Sequence, residues 1–89
     1  MIERQVDIVN RLGLHARAAA KFVHLAGQFS SRITVFKDGE QVDAKSILGL
    51  LLLAAAQGAS VTIRCDGEDE EAALAALAAL VGDRFEEES

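Results

Sequence analysis

A histidine and an arginine, His15 and Arg17, stand two residues apart just after Gly13. They lie where an alternating segment predicted as a strand gives way to an alanine-rich segment predicted as a helix. At a helix N-terminus, unpaired N–H groups and the positive end of the helix dipole favour an anion. A histidine there can act as an acid or base, or as a nucleophile that carries a group on a ring nitrogen, and a guanidinium can hold phosphate oxygens. A phosphoryl group on His15 would be well placed.

Other interpretations of these residues stay open at this point. His15 could simply be a solvent-exposed histidine at a helix start. His24 does not complete a pair with it, because nine residues along a helix turn the side chain by about 180° and displace it by about 13 Å. No zinc-ligand spacing, P-loop or serine triad is present, so we expect no metal and no cofactor. A small-molecule-binding regulatory domain and a histidine-dependent hydrolase remain the alternatives to a phosphoryl carrier.

Ser46 precedes a second segment that could have a functional role, the apolar run from Ile47 to Ala56. A serine N-cap and a C-terminal signal at Gly58 predict that the second helix spans this run. A peripheral helix buries only one stripe, so part of the run is expected to stay exposed, either as a docking surface or as surplus core. Phosphorylation of Ser46 would add about two negative charges beside the helix N-terminus and repel an acidic partner.

The elements that must position these residues follow from hydrophobic periodicity. Alternation predicts four strands, Asp38-Gly39 predicts a hairpin between the second and third, and three apolar stripes predict helices. The order is strand, helix, strand, strand, helix, strand, helix, and one sheet with all helices on one face buries them economically. The predicted segments are centred on Ile2–Ile8, Ala16–Ala26, Ile33–Phe36, Gln41–Val42, Ser46–Gly58, Val61–Cys65 and Glu68–Gly82, followed by a frayed acidic tail, 86–89.

Composition sets the class of protein. With 89 residues, 51 % of them hydrophobic, the chain is expected to fold as one domain, 1–89. A net charge of −5 and only four aromatic residues argue against nucleic acid, and the longest apolar run is too short to cross a membrane. Cys65 is single, so no internal disulfide forms, and the early charges Glu3 and Arg4 speak against a secretory signal. A cytoplasmic protein is expected.

The acidity is concentrated at the C-terminal end. Residues 1–65 carry eight basic against five acidic side chains, whereas residues 66–89 carry one against nine. A functional surface in residues 1–65 can therefore be locally neutral or basic despite the acidic total, which matters for an anionic ligand or partner.

Two separated motifs resemble the HPr family, the histidine-containing phosphocarriers of the bacterial phosphoenolpyruvate-dependent phosphotransferase system. They are Asn10–Arg17 and Asp43–Leu50, and the resemblance covers essentially the whole chain. It implies an α+β fold, an open-faced sandwich of four antiparallel strands under three helices in the order βαββαβα. It also implies a monomeric carrier, not an enzyme, charged by enzyme I and discharged by IIA proteins or domains.

The resemblance also suggests roles for individual residues. His15 would take the phosphoryl group on Nδ1, Arg17 would assist the transfer, and the backbone of Ala16 and Arg17 would contact the phosphate. Ser46 would be the regulatory site of HPr kinase/phosphorylase. Residues implied in partner docking are Ile47, Leu48 and Leu51.

Two departures from the family pattern bear on these expectations. Ala18 stands where the family usually has proline, and since alanine is an excellent helix former the first helix is expected to survive. Leu12 replaces a residue that is often polar in sugar-transport members and cannot hydrogen-bond the ring or phosphate. The chain therefore looks nearer to the nitrogen-related branch, called NPr, or to an HPr of a regulatory system.

Overall fold

Four antiparallel strands and three helices make up the protein, as described by a computed structural model of residues 1–89. The strands lie in the order β1-β4-β2-β3, so β1 and β3 form the edges. The elements are β1 (Ile2–Asp7), α1 (Ala16–Ala26), β2 (Arg32–Lys37), β3 (Glu40–Asp43), α2 (Ile47–Leu52), β4 (Ser60–Asp66) and α3 (Glu70–Gly82). The predicted α+β architecture is confirmed.

One hydrophobic core lies between the sheet and the helices. Alternate residues of the two central strands point into it, among them Ile33, Val35 and Ile63, and they join the buried stripes of all three helices in one cluster. Cys65 is fully buried in the same core. On the other face, the Arg64 guanidinium lies over the Phe36 ring at 4.5 Å. The helices therefore cover only one face of the sheet, as the alternation predicted.

The predicted hairpin between β2 and β3 is confirmed, and its turn shows why Asp-Gly is suited to it. Asp38 and Gly39 have φ angles of 50° and 83°, the left-handed pair that matches the twist of the flanking strands. The register sets Lys37 against Glu40 and Val35 against Val42. The chain leaves this hairpin at Asp43 and reaches Ser46 three residues later.

The second helix is shorter than predicted. It ends at Leu52 instead of reaching Gly58, and Ala54 has a φ of 50°, which breaks helical geometry. The carbonyl oxygen of Ala55 accepts a hydrogen bond from the N–H of Leu14 at 2.9 Å. Tertiary bonding to the loop before α1 therefore overrides the local helical preference of the alanines.

The sequence predicted a frayed C-terminal tail, but the structure shows the tail packed against the protein. Phe85 is fully buried in the core, and the Nζ of Lys21 donates to its carbonyl oxygen at 2.8 Å. Residues Arg84, Phe85 and Glu86 all have positive φ and form a tight C-terminal turn. Burial of one phenyl ring overcomes the repulsion among the acids and brings the tail back to α1. None of the helices is long and apolar enough to cross a membrane.

Candidate functional site

His15 caps the first helix with its own ring. Its backbone is extended, with φ −78° and ψ 179°, and Nδ1 accepts a hydrogen bond from the N–H of Arg17 at 3.3 Å. An acceptor at this position meets donors that have no partner inside the helix. Nδ1 therefore carries a lone pair and faces the N-terminal amides of α1. The side chain is 27 % exposed, so the ring is accessible from solvent.

The loop that holds His15 depends on Gly13. This residue has a φ of 67°, and an added Cβ would lie 2.5 Å from the carbonyl oxygen of Ala55. Its own carbonyl accepts from the backbone N–H of His15 at 2.9 Å. The neighbouring Leu14 is buried and bonded to Ala55. A residue with no side chain at position 13 thus lets the α2–β4 connection pack closely against the loop that holds His15.

Arg17 lies in the same cleft as His15, as the sequence predicted. The cleft has a volume of about 680 Å³ and is lined on its basic side by Arg11, Arg17 and Lys21. Arg17 is exposed and makes no salt bridge, so its guanidinium is free to meet an anion. No backbone carbonyl accepts from the N–H groups of Ala16 or Arg17. Two amides without a backbone acceptor and a guanidinium without an ion-pair partner are groups that favour an anion in this cleft.

Two further site residues, Glu87 and Asn10, were missed by sequence reasoning. A carboxylate oxygen of Glu87 contacts Nε2 of His15, and its other oxygen accepts from Nδ2 of Asn10 at 3.0 Å. Asn10 is fully buried and also donates to the carbonyl oxygen of Gly13 at 2.7 Å. The only signal in the sequence was Phe85, an apolar residue that anchors an otherwise acidic tail.

The contact with His15 has an electrostatic consequence for Glu87. The hydrogen bond from the His15 ring, and next to it the one from Asn10, lower the pKa of the Glu87 carboxyl below its usual range. Desolvation acts in the opposite direction but is outweighed. Glu87 is therefore a carboxylate at neutral pH, and the histidine that looked isolated in sequence has an acidic neighbour.

Ser46 caps α2 as predicted. Its Oγ accepts a hydrogen bond from the N–H of Gly49 at 3.1 Å, and the residue is half-buried. The hydroxyl thus satisfies one of the free donors of the first turn. His24, in contrast, is exposed on α1, which agrees with its interpretation as a surface residue.

An apolar surface on α2 is exposed to solvent. Ile47 and Leu48 are 44 % and 67 % exposed, and Leu52, which the sequence did not single out, is 69 % exposed. Leu51 is half-buried and packs against the core. Leu12, beside the histidine, is 65 % exposed and forms part of the cleft wall. Four leucines and an isoleucine are thus available for contact, with Leu51 contributing least.

Ala18, which stands where proline is usual in the pattern that the sequence resembles, does not disturb the first helix. α1 begins at Ala16, and the methyl group of Ala18 is fully buried. The capping bond from Arg17 to His15 is present without the fixed φ of proline. The prediction that the helix survives is confirmed.

Comparison with known proteins agrees with this site. Residues 2–83 match the family model described as PTS-HPr, PTS HPr component phosphorylation site. A phosphocarrier protein HPr from Cupriavidus necator is 52 % identical over 87 residues, 98 % of each chain, and a phosphocarrier protein NPr from Shewanella violacea is 47 % identical over 99 % of this chain and 97 % of its own. The crystal structure of HPr-C-His from Thermoanaerobacter tengcongensis superposes with a TM-score of 0.96 at 47 % identity, covering 100 % of both chains. The chain therefore belongs to the HPr family, the phosphocarrier proteins of the phosphotransferase system.

Proposed function

We propose that His15 is the residue that carries the phosphoryl group, on Nδ1, between enzyme I and the IIA proteins or domains. The observation that supports this most is the direction of Nδ1, which accepts from the N–H of Arg17 at the start of α1, in an open cleft that Arg17 also lines. Membership of a phosphocarrier family indicates that the reaction is phosphoryl transfer. The residues of the site then indicate which atom accepts the phosphoryl group.

The transfer is an in-line exchange at phosphorus. The Nδ1 lone pair forms a bond to phosphorus while the bond between phosphorus and its donor atom on enzyme I breaks, and the donor atom keeps the electron pair of that bond. The N–H of Arg17, which donates to Nδ1 in the free protein, then donates to a phosphate oxygen. The N–H of Ala16, the helix dipole and the Arg17 guanidinium spread the remaining charge. Discharge to a IIA protein reverses the same steps.

Labelling with phosphoenolpyruvate and enzyme I tests the assignment. The wild type should acquire a label that is stable in alkali and labile in acid, and His15→Ala should acquire none. The matched control is His24→Ala, which removes the other histidine of the chain from an exposed position on α1. Labelling of His15→Ala at the wild-type level would refute the proposal, as would loss of label in the control alone.

Ser46 and the apolar surface of α2 supply regulation and docking in this proposal. Phosphorylation of Ser46 by HPr kinase/phosphorylase would place a dianion beside Ile47 and Leu48. These two are more exposed than Leu51, the third predicted docking residue. An acidic partner would then be repelled from the surface it must cover to reach His15. The carrier acts as a monomer in the cytoplasm, and sedimentation equilibrium at the concentrations used for transfer should give a mass near 9.5 kDa.

A further inference from the structure

We infer that Glu87 is a positioning residue that fixes the tautomer of His15, keeping the proton on Nε2 and the lone pair on Nδ1. The inference rests on the proposed role of Nδ1 as the phosphoryl acceptor. It is carried by a chain of contacts that joins the buried Asn10 to the Glu87 carboxylate and the carboxylate to the His15 ring.

The two nitrogens of the ring have opposite neighbours. Nδ1 receives the N–H of Arg17, so it must be an acceptor, and Nε2 faces a carboxylate, so it must be a donor. The bond to Nδ1 is 3.3 Å long and weak, whereas the bond from Nε2 to a carboxylate is charge-assisted and strong. The carboxylate therefore supplies most of the preference for one tautomer. It also stands at the opposite edge of the ring from the phosphate, which limits repulsion between them.

Asn10 in turn fixes the carboxylate. Its amide nitrogen donates to both the Gly13 carbonyl and Glu87, while its Oδ1 has no partner. A flipped amide would turn Oδ1 towards two acceptors, so this orientation is the one that the neighbours allow. Asn10 is fully buried and cannot turn to solvent for other partners. One oxygen of Glu87 is thus occupied by Asn10, and the other is left for His15.

The tail is built to hold Glu87 in this place. Phe85 is buried two residues earlier, and Lys21 binds its carbonyl oxygen. Three consecutive residues without a glycine, Arg84, Phe85 and Glu86, adopt positive φ, a conformation that persists only where the surroundings enforce it. The backbone N–H of Glu87 closes this turn on the Arg84 carbonyl at 3.0 Å. The strained turn ends at the carboxylate that contacts His15.

During transfer, the proton on Nε2 stays where it is. As the Nδ1 lone pair enters the bond to phosphorus, positive charge develops on the ring, and the carboxylate opposite stabilises it through the Nε2 proton. No proton has to leave before Nδ1 attacks, because Nδ1 holds none. This is the role of the orienting carboxylate in other histidine-dependent sites, here supplied by a residue 72 positions away in sequence.

Glutamine at position 87 provides the sharpest test. Because Asn10 requires an acceptor, the amide oxygen of Glu87→Gln would face Asn10 and the NH₂ would face Nε2. That group donates to Nε2 and favours the wrong tautomer, with the proton on Nδ1. Glu87→Ala removes the preference without reversing it, since the Arg17 N–H still donates to Nδ1. Glutamine should therefore harm the carrier more than alanine does.

The experiment combines ring NMR with transfer kinetics on the full chain. Two-bond proton–nitrogen spectra at alkaline pH should show the Nε2–H form of His15 in the wild type and a substantial Nδ1–H form in Glu87→Gln, with His24 unchanged in both. The rate of labelling from phosphorylated enzyme I should fall about tenfold or more in Glu87→Gln and only about twofold to threefold in Glu87→Ala. Glu71→Gln, which removes an equal charge from an exposed site on α3, should match the wild type in both measurements.

The same tautomer in the wild type and Glu87→Gln would overturn the inference, and so would equal loss of rate in the glutamine and alanine variants. The tautomer measurement needs no phosphate, so it separates this inference from the proposed function. If His15→Ala were labelled normally, the function would fail while the tautomer result stood. Circular dichroism of each variant guards against loss of fold as the cause of a slower rate.

Discussion

Gly13→Ala should weaken both the fold and the histidine site, for two separable reasons. The residue has a φ of 67°, which an alanine adopts only with strain. In addition, its Cβ would lie 2.5 Å from the carbonyl oxygen of Ala55 and 2.9 Å from Cα of Ala56, closer than backbone atoms tolerate. The loop before α1 and the connection after α2 must therefore move apart, and Leu14 loses its hydrogen bond to Ala55.

Gly58→Ala is the matched control, because it carries only the first of these penalties. Gly58 has a φ of 91°, and nothing lies within 4 Å of an added Cβ. The strain costs about 1–2 kcal/mol and is partly offset by about 0.4–1 kcal/mol of reduced entropy in the unfolded chain. We expect the control to lose about 1 kcal/mol or less of unfolding free energy. Gly13→Ala adds the clash, which typically costs about 1–3 kcal/mol, for a total of about 1–4 kcal/mol.

Urea unfolding followed by circular dichroism measures the difference. The chain has no tryptophan or tyrosine, so fluorescence offers no probe. Gly13→Ala should show a clearly lower midpoint than Gly58→Ala with a similar slope, and its labelling at His15 under native conditions should also be slower. Equal midpoints for the two variants would refute the close approach at Gly13. Normal labelling of a destabilised Gly13→Ala would refute its role in placing the histidine.

Three other outcomes are expected. Hydrogen bonds from Ser31 and Ser30 lower the pKa of Asp69 from 3.8 to about 2, so the stability it contributes is full above the unfolded value and lost as pH falls towards 2; urea midpoints across this range should fall less steeply in Asp69→Asn, and an equal fall would contradict the pairing. Ser46→Asp should slow labelling at His15 while keeping the melting temperature, because aspartate also caps helices, whereas Ser46→Ala should cost about 1 kcal/mol and leave the rate unchanged; equal rates in all three proteins would remove the regulatory role. Leu48→Ser should weaken calorimetric binding to enzyme I with a stability change within about 0.5 kcal/mol, since the side chain is 67 % exposed, and unaltered binding would exclude it from docking.

Elements governed by local periodicity were predictable from the sequence. The strands alternate with period two, Asp38-Gly39 supplies its own turn geometry, and Ser46 caps the helix that follows it. His15 and Arg17 are close in sequence at a junction of two elements, so their meeting in one cleft followed from local structure alone. These features depend on interactions within a few residues, which patterns in a sequence record.

Features governed by distant contacts were not predictable. The helix after Ser46 stops at Leu52 because Ala55 bonds to Leu14, and nothing in the alanine run marks that bond. The contact of Glu87 with His15 spans 72 positions and depends on where Phe85 packs. An acidic tail is usually solvated, and here one buried ring reverses that expectation. The missing part of the site was therefore the part that tertiary packing supplies.

Identifying the ring nitrogen that carries the phosphoryl group is the most direct test of the proposed role of His15. Protein labelled with ¹⁵N in its histidines, phosphorylated by enzyme I and phosphoenolpyruvate, should show one-bond coupling of phosphorus to Nδ1 of His15, with Nε2 still bearing its proton. Coupling to Nε2, or to a ring nitrogen of His24, would contradict an acceptor that is set by the helix amides on one side and the Glu87 carboxylate on the other.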